Sequence, residues 1–182
     1  MEEISNQIKI NSENINAGDI IKLIDNILKC YDNSAMIFIY GAGRSGFVGR
    51  CFAQRLMHLG FKSCFISDAI THQYSNKDLV IIISGSGETT SPVAIALKAR
   101  KIGGKIALLT SNPHSAIGNI SDCIVEIKGK SKDVALSQQS LAPYTSLFDI
   151  STLSVLDSIG GTLMEILGVT EMDIDNRHAT LE

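Results

Sequence analysis

Apolar positions recur along this chain in two rhythms. Between Ala17 and Cys30, residues Ile20, Ile21, Leu23, Ile24, Ile27 and Leu28 follow helical spacing, whereas Glu2–Asn16 is Asn-rich and only weakly periodic. An amino-terminal helical segment over residues 1–31, broken near Gly18, is expected. From there short apolar runs alternate with helical patterns. Met36–Tyr40 reads as a strand that ends in a glycine loop. Ser45–Leu59 reads as a helix with Phe47, Val48, Cys51, Phe52, Leu56 and Leu59 on one stripe and Gly60 as its stop. Phe61–Ser67 and Leu79–Ile83 are the second and third strands. Thr89–Ile102 is a helix with Pro92 in its first turn and Gly103-Gly104 beyond its end. Lys105–Thr110 is a fourth strand, Ser115–Ile120 a short helix and Cys123–Ile127 a fifth strand.

Wholly apolar strands alternating with helices predict an α/β fold, a three-layer sandwich whose five-stranded parallel sheet is covered on both faces. The sheet core is expected over residues 32–127. A polar loop follows over 128–145, and the last segment, 146–182, is a long helix over Ser146–Leu167 with a tail. At 182 residues, with no internal repeat, the chain predicts one domain.

Composition narrows the function classes. Sixteen Lys and Arg against nineteen Asp and Glu leave a net charge of −3, which gives no bulk electrostatic footprint for nucleic acid. Runs such as Met36–Tyr40 and Leu79–Ile83 fall far short of the ~18 residues that span a bilayer, so no membrane association is expected. The polar, acidic start predicts no secretory signal. Cys30, Cys51, Cys64 and Cys123 lie far apart with no C-x-x-C. They read as buried free thiols in a reducing cytoplasm, and no metal site is expected.

Two glycine loops carry the candidate chemistry. The first, Gly41-Ala42-Gly43-Arg44-Ser45-Gly46, matches G-x-G-x-x-G between a strand and a helix, and Asp68 sits where a dinucleotide fold keeps its ribose-binding acid. Taken alone this motif is weak, because any strand-to-helix turn can use glycines. The second loop is Ser84-Gly85-Ser86-Gly87-Glu88-Thr89-Thr90-Ser91, directly before a helix. One Ser or Thr is enough to cap a helix. Five hydroxyl residues and two glycines at a helix amino terminus instead describe an anion site, with backbone donors, helix dipole and directional hydroxyls. No Gly-Lys-Ser/Thr is present, so this is not a nucleotide P-loop. Two such loops at the carboxyl ends of sheet strands suit a small phosphorylated molecule. Ser84, Ser86 and Thr89 then take the phosphate, and Gly41, Gly43, Arg44 and Ser45 lie against the rest.

The pair Gly-x-Gly-Arg-Ser and Ser-Gly-Ser-Gly-Glu-Thr resembles the sugar isomerase (SIS) domain, a flavodoxin-like module that binds phosphosugars. Within it the chain is most similar to the 6-phospho-3-hexuloisomerase family. Gly41–Gly46, Arg55-Leu-Met-His-Leu-Gly-Phe61, Asp78–Thr89, Ser131-Lys-Asp133 and His178-Ala-Thr-Leu-Glu182 follow that family in order. The resemblance implies interconversion of 3-hexulose 6-phosphate and fructose 6-phosphate, a ribulose monophosphate pathway step. It also implies no metal or cofactor, and a homo-oligomer, dimer or tetramer. The family commonly reads Pro-Met-Gly-Ser/Thr-x-Phe-Glu at the start of its last long helix, with that Glu as proton acceptor. Here the segment is Pro143-Tyr144-Thr145-Ser146-Leu147-Phe148-Asp149.

Asp149 is therefore the candidate base by family position. The competing reading is a first-turn acid stabilised by the helix dipole. Glu88 is the second candidate, against a solvated carboxylate that a bound phosphate would repel. His178 is a candidate second acid/base group, entering its own site or that of a neighbouring subunit, against a plain surface histidine. His58 reads as packing. Three alternatives stay open: a non-catalytic phosphosugar-binding module, an SIS isomerase for another sugar phosphate, and a dinucleotide-binding protein.

Overall fold

The structure, a computed structural model, describes residues 1–129, 142–143 and 145–181. Most of the expected polar loop over 128–145, with Ser131 to Asp133, lies outside the described residues. The elements run α1 (Glu2–Asn14), α2 (Ala17–Asp32), β1 (Ile37–Gly41), α3 (Arg44–His58), β2 (Ser63–Phe65) and β3 (Leu79–Ile83). Then come α4 (Thr90–Ile102), β4 (Lys105–Thr110), a 3-10 turn (Gly118–Ile120), β5 (Cys123–Glu126), α5 (Ser146–Leu167) and α6 (Glu171–Asp175). All five strands are parallel in the order β2-β1-β3-β4-β5, as the alternating pattern predicts.

The strands are apolar on both sides because both sides are covered. Ile37, Ile39, Ile81, Ile83, Leu109 and Val125 face α2, α3 and α5 in one core. Their neighbours Phe38, Val80, Ile82, Ile106 and Leu108 face Ala96 and Ala99 of α4 and Ile117 in the other. Each fully buried Leu, Ile or Phe contributes about 1.5–3 kcal/mol. The sheet is thus the middle of three layers.

Several boundaries differ from the expectation, each for a local reason. The amino-terminal helix breaks at Asn16 rather than Gly18, because the Asn16 side chain accepts from Gly18 N (2.8 Å) and Asp19 N (3.3 Å) and caps α2. The second strand shrinks to Ser63–Phe65, an edge strand paired on one side only, with β1. The expected helix Ser115–Ile120 is a single 3-10 turn. Cys30 and Cys123 are buried, and burial pushes both thiols up to about 11. Cys51 is exposed and Cys64 half-buried, so the expectation of four buried thiols fails for these two. Helical periodicity had placed Cys51 on the apolar stripe, but that stripe is wider than the surface α3 covers.

Two features of the helical layer bear on the site. α5 is long and apolar enough, with mean hydropathy 1.3, to cross a bilayer on length and composition alone. Here it packs against α1, α2 and α3 and buries polar Asp149, Ser151 and Thr152. α1, in turn, reaches the end of β5. The buried Asn11 side chain accepts from Lys128 N (2.8 Å) and donates to Lys128 O (2.9 Å), as a neighbouring strand would. Gln7 Nε2 donates to the same carbonyl.

Candidate active site

Gly41 at the end of β1 pairs with Ile83 at the end of β3, so the two glycine loops leave the sheet side by side. The chain order reverses between these strands, and open α/β sheets bind ligands in the crevice at such a point. A cleft of about 1070 Å³ lies there. Its wall includes Gly43, Arg44 and Ser45 from the first loop and Ser84, Gly85, Ser86, Glu88 and Thr89 from the second.

The remaining substrate-site candidates, Gly41 and Gly87, lie behind the wall and shape it. A Cβ on Gly41 would stand 2.7 Å from the Ser45 carbonyl, so only glycine lets the strand end touch the first turn of α3. Gly87 has φ +66°, and a Cβ there would overlap the Ser115 hydroxyl. Both permit a backbone path that no other residue could follow.

The second loop is held rigidly from below. Gly85 O accepts from Ser111 N (3.0 Å), Ser111 Oγ (2.7 Å) and Thr110 Oγ1 (3.0 Å), all from the end of β4. Ser84 Oγ accepts from Gly87 N (3.2 Å), and Ser86 Oγ from Glu88 N (3.2 Å). Thr89 is the N-cap of α4, yet its side chain makes no capping bond, and its hydroxyl lies 3.5 Å from that of Ser86. The first N–H groups of α4 have no helical acceptor, and its first turn carries no acid. Donors, dipole and hydroxyls therefore converge on one end of the cleft, which favours an anion.

Thr145 and Phe148, at the start of α5, complete the wall. Asp149 is 2% exposed in the first turn of that helix. Its Oδ1 accepts from Ser45 Oγ (2.8 Å) and its Oδ2 from Arg44 Nε (3.3 Å). The Arg44 side chain is 60% exposed and free to turn into the cleft. Ser45 thus serves the carboxylate as well as the wall. A carboxylate has room for about four hydrogen bonds, so two such donors leave acceptor capacity.

Glu88 and His178 do not join this cluster. Glu88 Oε1 accepts from Ala116 N (2.7 Å) and ties the second loop to the 3-10 region. His178 stacks on His58 with ring centroids 4.3 Å apart, and Arg177 Nη1 donates to His58 O (2.8 Å). His58 ends α3 while Arg44 begins it, and fourteen residues of helix span roughly 21 Å. Within one chain His178 stands at the far end of α3 from Asp149. Asp68 is likewise engaged: it pairs with Arg50, whose guanidinium lies 4.0 Å from the centre of the Phe65 ring. That carboxylate is turned to protein and not to a ribose.

Several wall residues were not site candidates in the sequence, among them Ser111, Asn112, Thr145 and Phe148. Ser111 and Asn112 directly follow β4, so their place at a strand's carboxyl end was the available signal. Thr145 and Phe148 reach the cleft only because α5 packs across it, which no local pattern announces.

The SIS domain family model matches residues 31–153. The 3-hexulose-6-phosphate isomerase of Bacillus subtilis is 39% identical over 181 residues, covering 99% of this chain and 96% of that protein. The 3-hexulose-6-phosphate isomerase of Methanocaldococcus jannaschii is 38% identical over 159 residues, covering 87% of this chain and 82% of that protein. A Methanococcus jannaschii crystal structure, from which a molecular function of 3-hexulose-6-phosphate isomerase was inferred, superposes with a TM-score of 0.85. It is 36% identical and covers 100% of both chains.

Proposed function

We propose that this chain, which belongs to the SIS domain family, is a sugar-phosphate isomerase that interconverts 3-hexulose 6-phosphate and fructose 6-phosphate. The observation that carries this reading is the pairing of Gly41 with Ile83, which sets an anion-binding loop beside Arg44 and Ser45, the two cleft residues that hold the buried Asp149 carboxylate. Similarity over nearly the whole length to a protein of that name supports the choice of substrate.

The phosphate seats against Ser84, Ser86, Thr89 and the first turn of α4. Binding at that remote end orients the reacting carbons. Asp149 removes the proton from C2, beside the C3 ketone, and electrons shift to give the 2,3-enediol. Returning that proton to C3, while a hydroxyl proton passes from O2 to O3, leaves the C2 ketone of fructose 6-phosphate. No atom is gained or lost, so no redox partner is required. Arg44 turns from Asp149 Oδ2 toward the developing oxyanion, which uncovers the base and stabilises the charge it creates. Ser45 keeps the carboxylate oriented throughout. His178 takes part only from another subunit of a cytoplasmic homo-oligomer, since its own chain holds it against His58.

One observation favours a second reading. Asp149 lies behind Ser45 and Arg44, almost closed to solvent, as a purely structural carboxylate would. A phosphosugar-binding module without turnover has the same cleft. Incubation with 3-hexulose 6-phosphate, with fructose 6-phosphate followed by a coupled assay, separates the two. Turnover is expected; tight binding in a calorimeter with no product establishes the binding module instead.

A further inference from the structure

Among the described residues two non-glycine residues have positive φ, Ser34 (53°) and Thr145 (67°). Ser34 follows the Asn33 cap of α2, a position where left-handed backbone is common, and Ser34 N closes the turn on Tyr31 O (3.1 Å). Thr145 has no such excuse. It is β-branched, stands at the N-cap of α5 and makes no side-chain cap bond. Its Oγ1 is buried with no hydrogen-bond partner among the described residues. A strained backbone and an orphan buried hydroxyl in one residue are costly features, and they cluster where a ligand completes the structure.

The location says which ligand. Thr145 lines the cleft, and its carbonyl accepts the Asp149 N–H (2.9 Å), so it stands one helical turn from the carboxylate. The phosphate end, at Ser84 to Thr89, belongs to a different element. We propose that Thr145 is a specificity-determining residue: its hydroxyl acquires a partner when an oxygen of the substrate's carbon chain, on the Asp149 side of the cleft, is bound. The inference rests on the sugar-phosphate reading of the cleft and adds which part of the sugar is inspected. A site that hydrogen-bonds a hydroxyl rejects analogues lacking it, because its own polar group is otherwise left unpaired.

The test compares Thr145→Val, which deletes the hydroxyl and keeps the shape, with Thr145→Ser, which keeps the hydroxyl. Binding of fructose 6-phosphate and of inorganic phosphate is measured by calorimetry, alongside kcat/KM. The valine variant is expected to weaken fructose 6-phosphate about tenfold and to lower kcat/KM similarly, with phosphate affinity unchanged and serine restoring both. Thr145→Gly, which suits the backbone, should bind the sugar phosphate as weakly as valine while melting about 2–4 °C above wild type. It also serves where the valine variant fails to fold. Wild-type affinity in the valine or glycine variant overturns the inference. So does an equal loss for inorganic phosphate, which marks a distorted cleft. Wild-type protein that binds phosphate but no fructose 6-phosphate overturns the sugar reading as well.

Discussion

Replacing Asp149 by Asn separates its two roles, because the structure makes the change nearly silent for folding. Asn keeps the shape and an oxygen to accept from Ser45 Oγ, now 2.8 Å from Oδ1. Only the Arg44 contact turns unfavourable, as an amide NH₂ would face Nε at 3.3 Å. Arg44 is 60% exposed and can turn to water, so the lost pair is worth less than about 1 kcal/mol. Relief from burying a charge offsets part of it. A shift in melting temperature within about 3 °C is expected. Catalysis has no such fallback. Removing a general base costs ~10²–10⁴-fold, or about 2.7–5.4 kcal/mol of transition-state stabilisation. The coupled fructose 6-phosphate assay should show kcat reduced by that factor with KM within about threefold, since the phosphate end is untouched. Deuterium incorporation from solvent into the sugar should fall in parallel. Turnover within fivefold of wild type, at an unchanged melting temperature, refutes the assignment of the base.

Three further outcomes follow from neighbouring contacts. Glu88→Gln keeps an acceptor for Ala116 N, so kcat in the same assay should fall by less than about fivefold; a hundredfold loss would return the base role to Glu88. Gly87→Ala forces a Cβ at φ +66° into Ser115, and should cost about 1–3 kcal/mol in denaturant unfolding while raising KM at least about tenfold. The Asp122 carboxyl is pushed up by burial, but Ile106 N–H, Arg100 and Lys105 outweigh that and hold it below the usual range. Its stabilisation is therefore present above the unfolded value of about 3.9 and is lost as pH falls through the lower folded one. Asp122→Asn should cost about 1–2 kcal/mol at pH 7, seen as a lower melting temperature, with the gap to wild type closing below about pH 4.

The sheet was legible because the interiors of its strands are buried on both faces and therefore uninterrupted by polar residues: Leu79–Ile83 and Lys105–Thr110 agree with their expected limits. The edges were not. Phe61 and Lys62 look like strand in sequence, yet β2 finds only one partner and its pairing stops at Ser63. Within the site, the second loop announced itself by its five hydroxyls, and its backing by β4 was hidden because hydrogen bonds to Gly85 O come from Thr110 and Ser111, more than twenty residues away. Asp149 could be singled out only by family position. Nothing local to α5 reveals that Ser45 and Arg44, some 104 residues earlier, grip its carboxylate. The same reason hid the place of His178 in its own chain: a terminal tail has no periodicity to show which end of α3 it will rest on.

The clasp between Asn11 and Lys128 ties residues 117 positions apart. During vectorial synthesis α1 is made well before its seats, because neither the end of β5 nor α5 yet exists. Until then α1 has nothing to dock on, and closure of this contact waits for the synthesis of α5. Helix α1 is a latch that closes only once α5 has formed.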